Sequence, residues 1–496
     1  MLHETDIALI GFGPTGATLA NLLGARGWRV DAFDRTPDVY AQPRAVHFDD
    51  EIMRVWQQLD LVDALAPAIT EVRGMDMFNA DGQLIYQYVA PSGVGPLGWP
   101  KGFMFYQPDV ERALRRGVTR YPNVQAHLGH EVTSVSAVDD SRARITTLGP
   151  GGPAEWQAPV AIGCCGARSI TRAAMGASLS DYGAHQPWLV LDILLHDDPG
   201  LPAVTVQYCD PARPSTYVPM PGQRRRFEIM VMPGDVVETM TEAGHVARLL
   251  QRWVQPGTYT LERAAVYTFH CLVADRWRQG PLAIAGDAAH QMPPFLGQGM
   301  CSGVRDAVNL AWKLDLVLRG DADASLLDTY QAERESHVRA LIETDIYLGG
   351  IIQTTNVDVA RQRDAMALSG GAATALTPTF PPLGGNLCGT GPMDRLPFPQ
   401  PVLSDGTRWD TILGDGFALV GAITPSPAAE AMLQGLGARR IAEVPTQVHQ
   451  WLETAGARAA VVRPDRVVLA AVDGTDALDE ALAPLATYCR PSAVSL

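Results

Sequence analysis

The chain has little of what membrane, secreted or nucleic-acid-binding proteins need. Its seven cysteines are scattered without a CxxC pair, so neither a disulfide framework nor a zinc site is indicated, and no metal is expected. Positive charge is in deficit. The 39 Lys and Arg against 54 Asp and Glu leave a net charge of -15, which repels nucleic acids and anionic membranes alike. No apolar run approaches the roughly 20 residues of a membrane helix. The first such run is soon broken by Gly11, Gly13, Pro14 and Gly16, and the residues before it, Met1 to Asp6, are acidic where a secretory signal is basic. These absences predict a cytoplasmic protein whose partner is a small molecule, with no nucleic acid and no membrane.

What is present is a globular composition. Hydrophobic residues make up 47% of 496 positions, enough for two or three domains with their own cores. The most informative stretch runs from Asp6 to Asp34. The apolar run Ile7 to Ile10 suits a buried parallel strand, and Gly11, Gly13 and Gly16 follow it as GxGxxG, with Pro14 and Thr15 inside the turn. Gly11 permits the tight turn, Gly13 lets a pyrophosphate approach the backbone, and Gly16 lets the next helix pack on the strand. That helix spans Ala17 to Arg26, and its free N-terminal N–H groups favour phosphate. A second strand ends at Asp34, 18 positions after Gly16, where a carboxylate accepts from a ribose 2′-hydroxyl and repels a 2′-phosphate. FAD or NAD fits this unit better than NADP. The plainer alternative is a glycine turn beside a surface Asp.

A second motif lies at 276–313. A buried strand from Leu282 to Ala285 ends in Gly286 and Asp287, a Gly/Pro loop holds Pro293, Pro294 and Gly297, and a long helix begins near Gly299 and Met300. Val304, Ala307, Val308, Ala311, Leu314 and Val317 give that helix an apolar stripe. Asp287 could bind a polyol hydroxyl, and the helix N-terminus would favour the negative charge of a reduced flavin.

With both motifs in hand, the sequence resembles the class A flavoprotein aromatic hydroxylases, which share the p-hydroxybenzoate hydroxylase fold. The specific signature is Gly-Asp-Ala-Ala-His at 286–290. Pro43 to Glu51, Gln107 to Glu111, Arg225 to Met230 and Tyr330 to Arg334 resemble the 3-(3-hydroxyphenyl)propionate hydroxylase branch, closely over residues 5 to 345 and loosely beyond. The resemblance implies an α/β fold: a Rossmann-like FAD-binding domain at 1–180 and 276–348, and an inserted antiparallel-sheet substrate domain at 181–275, joined by part of 75–105. A linker or covering segment at 349–392 and a thioredoxin-like C-terminal domain at 393–496, without CxxC, complete the expectation. A homodimer is one oligomer it allows.

The same resemblance implies an FAD-dependent monooxygenase that uses NADH or NADPH and O2 to hydroxylate a phenol, most simply a phenylpropanoid acid. Hydroxylation of a polyketide or another phenol is the alternative, as is a flavoprotein that consumes NAD(P)H without oxygenating anything. Asp287 then meets the ribityl chain, Asp34 and Arg35 serve the adenosine end, Arg44 and Gln107 lie along the FAD, and Pro294, Gly297, Gly299 and Met300 line the flavin ring. For Arg44 a surface salt bridge is the bland alternative. Phenol deprotonation needs help near neutral pH. His47, Tyr217 and His290 are candidates, although Tyr217 could simply pack in a sheet and either histidine could cap a loop. Arg213 and the cluster Arg224, Arg225 and Arg226 are candidate partners for a substrate carboxylate. Two residues depart from the family pattern: Cys165 stands where an aspartate is usual, and Cys301 where asparagine is common.

Overall fold

A computed structural model describes residues 2–370, 374–375 and 380–489. Met1, residues 371–373 and 376–379 of the expected covering segment, and residues 490–496 of the expected C-terminal unit lie outside the described residues. Of the six sheets among the described residues, three organise the chain. The first has six strands in the order Arg278–Gln279, Leu282–Ile284, Val160–Gly163, Ile7–Ile10, Val30–Asp34 and Val124–Leu128, parallel except for the first. Its central strands are continuous apolar runs because helices cover both faces; Ile7 to Ile10 are at most 3% exposed. The helix Pro14–Ala25 packs against both Gln107–Val118 and Gly299–Arg319. It starts three residues before the position expected from composition, because Pro14 is favoured at a first helical position.

The second sheet has eight strands, ordered Tyr259–Phe269, Gln186–Leu195, Arg224–Met230, Ser215–Pro219, Thr205–Tyr208, Gly74–Phe78, Leu84–Val89 and Thr374–Ala375. Its two faces differ, as strand alternation requires. Leu189, Leu191, Ile193, Tyr217, Phe227 and Ile229 form an outer core with Val246 and Leu250 of the helix Ala243–Leu250. Trp188, Val190, Asp192, Arg226, Glu228 and Met230 alternate with these and face the first sheet's loops. The long helix Asp328–Ile352 and a further helix, Val357–Leu368, pack on one end of that inner face through Ile351, Ile352 and Ala367.

The third sheet runs Arg439–Ile441, Ala418–Gly421, Ala459–Val462 and Val468–Val472, with helices Pro427–Gly435, Thr446–Thr454 and Thr475–Ala486. It docks through buried charges. Arg463 pairs with Glu333 at 2.8 Å and Lys313 Nζ with the same carboxylate at 2.8 Å, all three side chains being fully buried. A buried network of this kind fixes orientation more surely than it adds stability. Among the described residues no helix is long and apolar enough to cross a membrane.

Candidate active site

The glycine turn and the Gly286 turn meet at one point. A Cβ on Gly286 would lie 2.8 Å from Thr15 Oγ1, and one on Gly303 2.4 Å from the same atom. Gly286 and Gly303 therefore let the two motifs touch, and Thr15 is the contact. Within the first turn, a Cβ on Gly16 would sit 2.1 Å from the Gly11 carbonyl oxygen, whereas one on Gly13 would meet nothing within 4 Å. Gly16 is needed for packing and Gly13 for open space above the backbone.

That space fits a pyrophosphate. The helix Pro14–Ala25 has no side-chain cap, so its first N–H groups remain available. Arg115 reaches the rim of the turn, donating from Nε to the Phe12 carbonyl at 3.2 Å, while its buried NH1 has no partner. Asp34 accepts from Phe12 N at 2.9 Å, Thr36 N at 2.8 Å and Thr36 Oγ1 at 2.7 Å. A carboxylate has about four acceptor sites, so one remains for a ribose hydroxyl. Arg35 beside it is exposed.

Asp287 opens onto the cleft, yet surrounding protein desolvates it and raises its pKa, with Arg44 and His290 opposing. Arg44 is exposed and lies over the Tyr40 ring at 5.2 Å. Gln107 does not point outward; its Oε1 accepts from the N–H groups of Arg44 and Ala45 at 2.7 and 2.8 Å, and its Nε2 donates to Glu111. Gln107 thus sets the course of the 44–45 backbone.

The loop from Pro294 to Gly297 turns on a hydrogen bond from Gly297 N to the Pro294 carbonyl, with Gly297 at a φ of +68°. Leu296 N donates to Asp345 at 2.8 Å. Burial pushes the Asp345 carboxyl well above its usual range, which the hydrogen bond from Leu296 N opposes. The helix Gly299–Arg319 follows without a side-chain cap, and Met300 is half-buried in its first turn. Cys301 is buried, its Sγ 3.9 Å from the carbonyls of His47 and Gly297. Cys165 lies behind Gly11 and donates to Ser169 Oγ at 3.1 Å.

The three proton-transfer candidates separate. His47 is at the site: a Cβ on Gly297 would lie 3.0 Å from its Nδ1, which is buried without a hydrogen-bond partner. Burial lowers its pKa, with Asp49 opposing, so the ring is neutral at pH 7. His290 instead supports the Gly286 turn from behind. It is 1% exposed, lies tilted against the Trp277 ring and shares Asp306 with the Gly286 N–H. The structure does not bring Tyr217 to the site. It lies opposite Phe227 on the outer face, fully buried, with its hydroxyl donating to the Pro202 carbonyl at 3.0 Å.

The roof of the cleft is pinned at two ends. Arg226 donates to Asp192 and to the carbonyls of Arg44 and Pro43, at 2.8 and 2.6 Å for the latter pair, and Arg263 joins it on Pro43. At the other end Trp188 meets Phe295 edge-on at 6.0 Å. The sequence reading passed over Arg115, Asp306, Arg305 and Asp345. One signal was available: Arg305, Asn309 and Lys313 recur at four-residue spacing beside the apolar stripe of their helix, and all three are buried.

Comparisons with known proteins agree with this geometry. The family model described as FAD binding domain matches residues 4–345. Over 423 residues, 84% of this chain and 78% of the relative, the sequence is 38% identical to a probable NADH-specific resorcinol 4-hydroxylase of Rhodococcus jostii (strain RHA1). Over 512 residues, 94% and 92% of the two chains, it is 32% identical to a 3-(3-hydroxy-phenyl)propionate/3-hydroxycinnamic acid hydroxylase of Escherichia coli (strain K12 / DH10B). The crystal structure of the flavin-dependent monooxygenase PieE with FAD and substrate shares the fold, with a TM-score of 0.79 at 20% identity over 97% of this chain and 99% of that one.

Proposed function

The chain belongs to the FAD binding domain family and is a flavin-dependent aromatic monooxygenase with NAD(P)H as co-substrate, and we propose that it hydroxylates a one-ring phenol in the cleft under the eight-stranded sheet. The observation that carries the reading is the meeting of the two turns at Thr15, which aligns an open pyrophosphate cradle with Asp287 and the 294–300 loop. In this reading the helix Pro14–Ala25 holds the pyrophosphate, Asp34 the ribose and Asp287 the ribityl hydroxyls. Arg44 and the backbone set by Gln107 close the side of the cleft.

Bound FAD would supply hydride acceptance and activation of O2. The residues of the chain orient and protect. The sheet excludes water above the ring, and the helix Gly299–Arg319 directs positive potential toward it. His47 Nδ1 is the atom placed to accept or relay a phenolic proton, since its ring is neutral and Nδ1 faces the Gly297 backbone rather than another side chain. We read the 393–489 unit, with its α-β-α-β-α-β-β-α order and no CxxC, as a thioredoxin-like domain that braces the fold. A cytoplasmic location belongs to the same proposal.

Purified protein reconstituted with FAD should bind one equivalent per chain. Asp287→Ala should weaken binding by about 1–3 kcal/mol through loss of an acceptor for polyol hydroxyls. An unchanged affinity in that variant would remove Asp287 from the cofactor site.

A further inference from the structure

The inner face of the roof carries a polar strip across three neighbouring strands. Thr216 stands opposite Glu228, and Gln207 opposite Thr216, and residues directly opposite one another in a sheet share a face. Thr216 Oγ1 donates to Gln207 Oε1. Along its own strand Glu228 lies between Arg226, which holds the 43–44 backbone, and Met230, beside the Trp188–Phe295 contact. Both ends of this face rest on loops that border the cleft, so Glu228 looks into the space between them.

Glu228 has no partner that neutralises it fully. It is 8% exposed, its carboxylate accepts no hydrogen bond from the described residues, and the nearest cation, Arg226 NH1, is 3.8 Å away. Arg226 is itself committed to Asp192 at 2.7 Å. Burial raises the Glu228 pKa, which Arg226 offsets only in part. A largely buried carboxylate that accepts no hydrogen bond from the protein gains when a ligand hydroxyl donates to it.

The arginines singled out from the sequence for a substrate carboxylate are engaged elsewhere. Arg213 is paired with Asp235 at 2.7 and 3.0 Å, and Arg224 with Glu262 at 3.1 Å. Arg225 donates to the Gly222 and Arg224 carbonyls, Arg263 to Pro43, and Arg363 to the Ile351 and Cys209 carbonyls. On this face an anionic substrate would meet the Glu228 carboxylate beside an Arg226 already paired with Asp192; Arg44, exposed over Tyr40, is the cation left at the side of the cleft, where the cofactor is placed.

Building on the monooxygenase reading, we infer that Glu228 is a specificity-determining residue that accepts a hydrogen bond from a hydroxyl of an uncharged phenol, with Thr216 and Gln207 completing the polar strip, and that it disfavours phenols bearing a carboxylate. A ring with two hydroxyls suits this site best, since one can face Glu228 while the other is positioned for reaction. This reassigns the substrate from the phenylpropanoid acid expected from sequence resemblance.

The test titrates FAD-loaded protein with resorcinol and with 3-(3-hydroxyphenyl)propionate, following the flavin absorption spectrum for binding and hydroxylated product for turnover. Wild type should bind resorcinol at least about tenfold more tightly, the scale of one hydrogen bond to a charged group. Glu228→Gln should lose about tenfold in resorcinol affinity and narrow the discrimination, with FAD content and melting temperature unchanged. Thr216→Val, which keeps side-chain volume, should weaken resorcinol in the same direction and serves if Glu228→Gln fails to fold. Preference for the carboxylate, or unchanged resorcinol affinity in both variants, overturns the inference while leaving the monooxygenase reading intact. A holoenzyme that neither binds nor hydroxylates any phenol overturns both.

Discussion

Asp306 Oδ2 accepts from His290 Nε2 at 2.6 Å, and the same oxygen accepts from the Gly286 N–H at 3.0 Å. One fully buried carboxylate thus fixes both ends of the Gly-Asp-Ala-Ala-His turn, while its other oxygen takes Arg334 Nε at 2.9 Å. Burial pushes this carboxyl upward, but His290 and Arg334 outweigh that and hold it at about 2.

Because the folded-state value lies below the ordinary 3.8, Asp306 contributes stability that is present above about pH 4 and is lost as pH falls toward 2. Asp306→Asn should lower stability by about 3–5 kcal/mol, since His290 and Arg334 would lose a buried partner. It should also flatten the acid limb of a melting-temperature profile between pH 4.5 and about 2. An acid limb as steep as that of the wild type would show that other groups dominate.

Gly13→Ala separates binding from folding. Gly13 has an ordinary φ of -76° and free space where a Cβ would stand, so the apoprotein should melt like wild type. The added methyl occupies the approach of the pyrophosphate, and FAD affinity should fall by about tenfold or more. Gly16→Ala should instead fail to accumulate as folded protein, given the 2.1 Å approach to the Gly11 carbonyl. Full FAD affinity in Gly13→Ala would move the pyrophosphate elsewhere.

The two FAD motifs were legible because each is local: strand, turn and helix follow within some thirty residues, and every glycine's role follows from its place in the turn. The roof was legible only as strands. Which face each side chain takes depends on register with strands distant in sequence, and so Tyr217, a plausible acid or base by position, pairs with Phe227 in the outer core. Asp306, Asp345 and Glu228 were missed for a related reason. Arg334, Leu296 and the 43–44 backbone, which give them meaning, lie far away in the chain.

Cys165 tests one of the family departures. Its Sγ has Ser169 Oγ at 3.1 Å, and Arg172 lies close enough for its charge to be felt there. A carboxylate at this position would have a donor and a nearby cation, so Cys165→Asp should keep the wild-type melting temperature. Stopped-flow reduction by NADH should show a faster rate or a lower KM in the variant. A lowered melting temperature with unchanged reduction would make Cys165 a packing residue.

Electrons from NAD(P)H should end in a hydroxylated phenol made by the holoenzyme. The most direct measurement is the ratio of hydroxylated product to NADH consumed, with hydrogen peroxide quantified in the same reaction and resorcinol as substrate. The phenol should stimulate NADH consumption, with product near one per NADH and little peroxide. Consumption that ignores the phenol and returns only peroxide would contradict it.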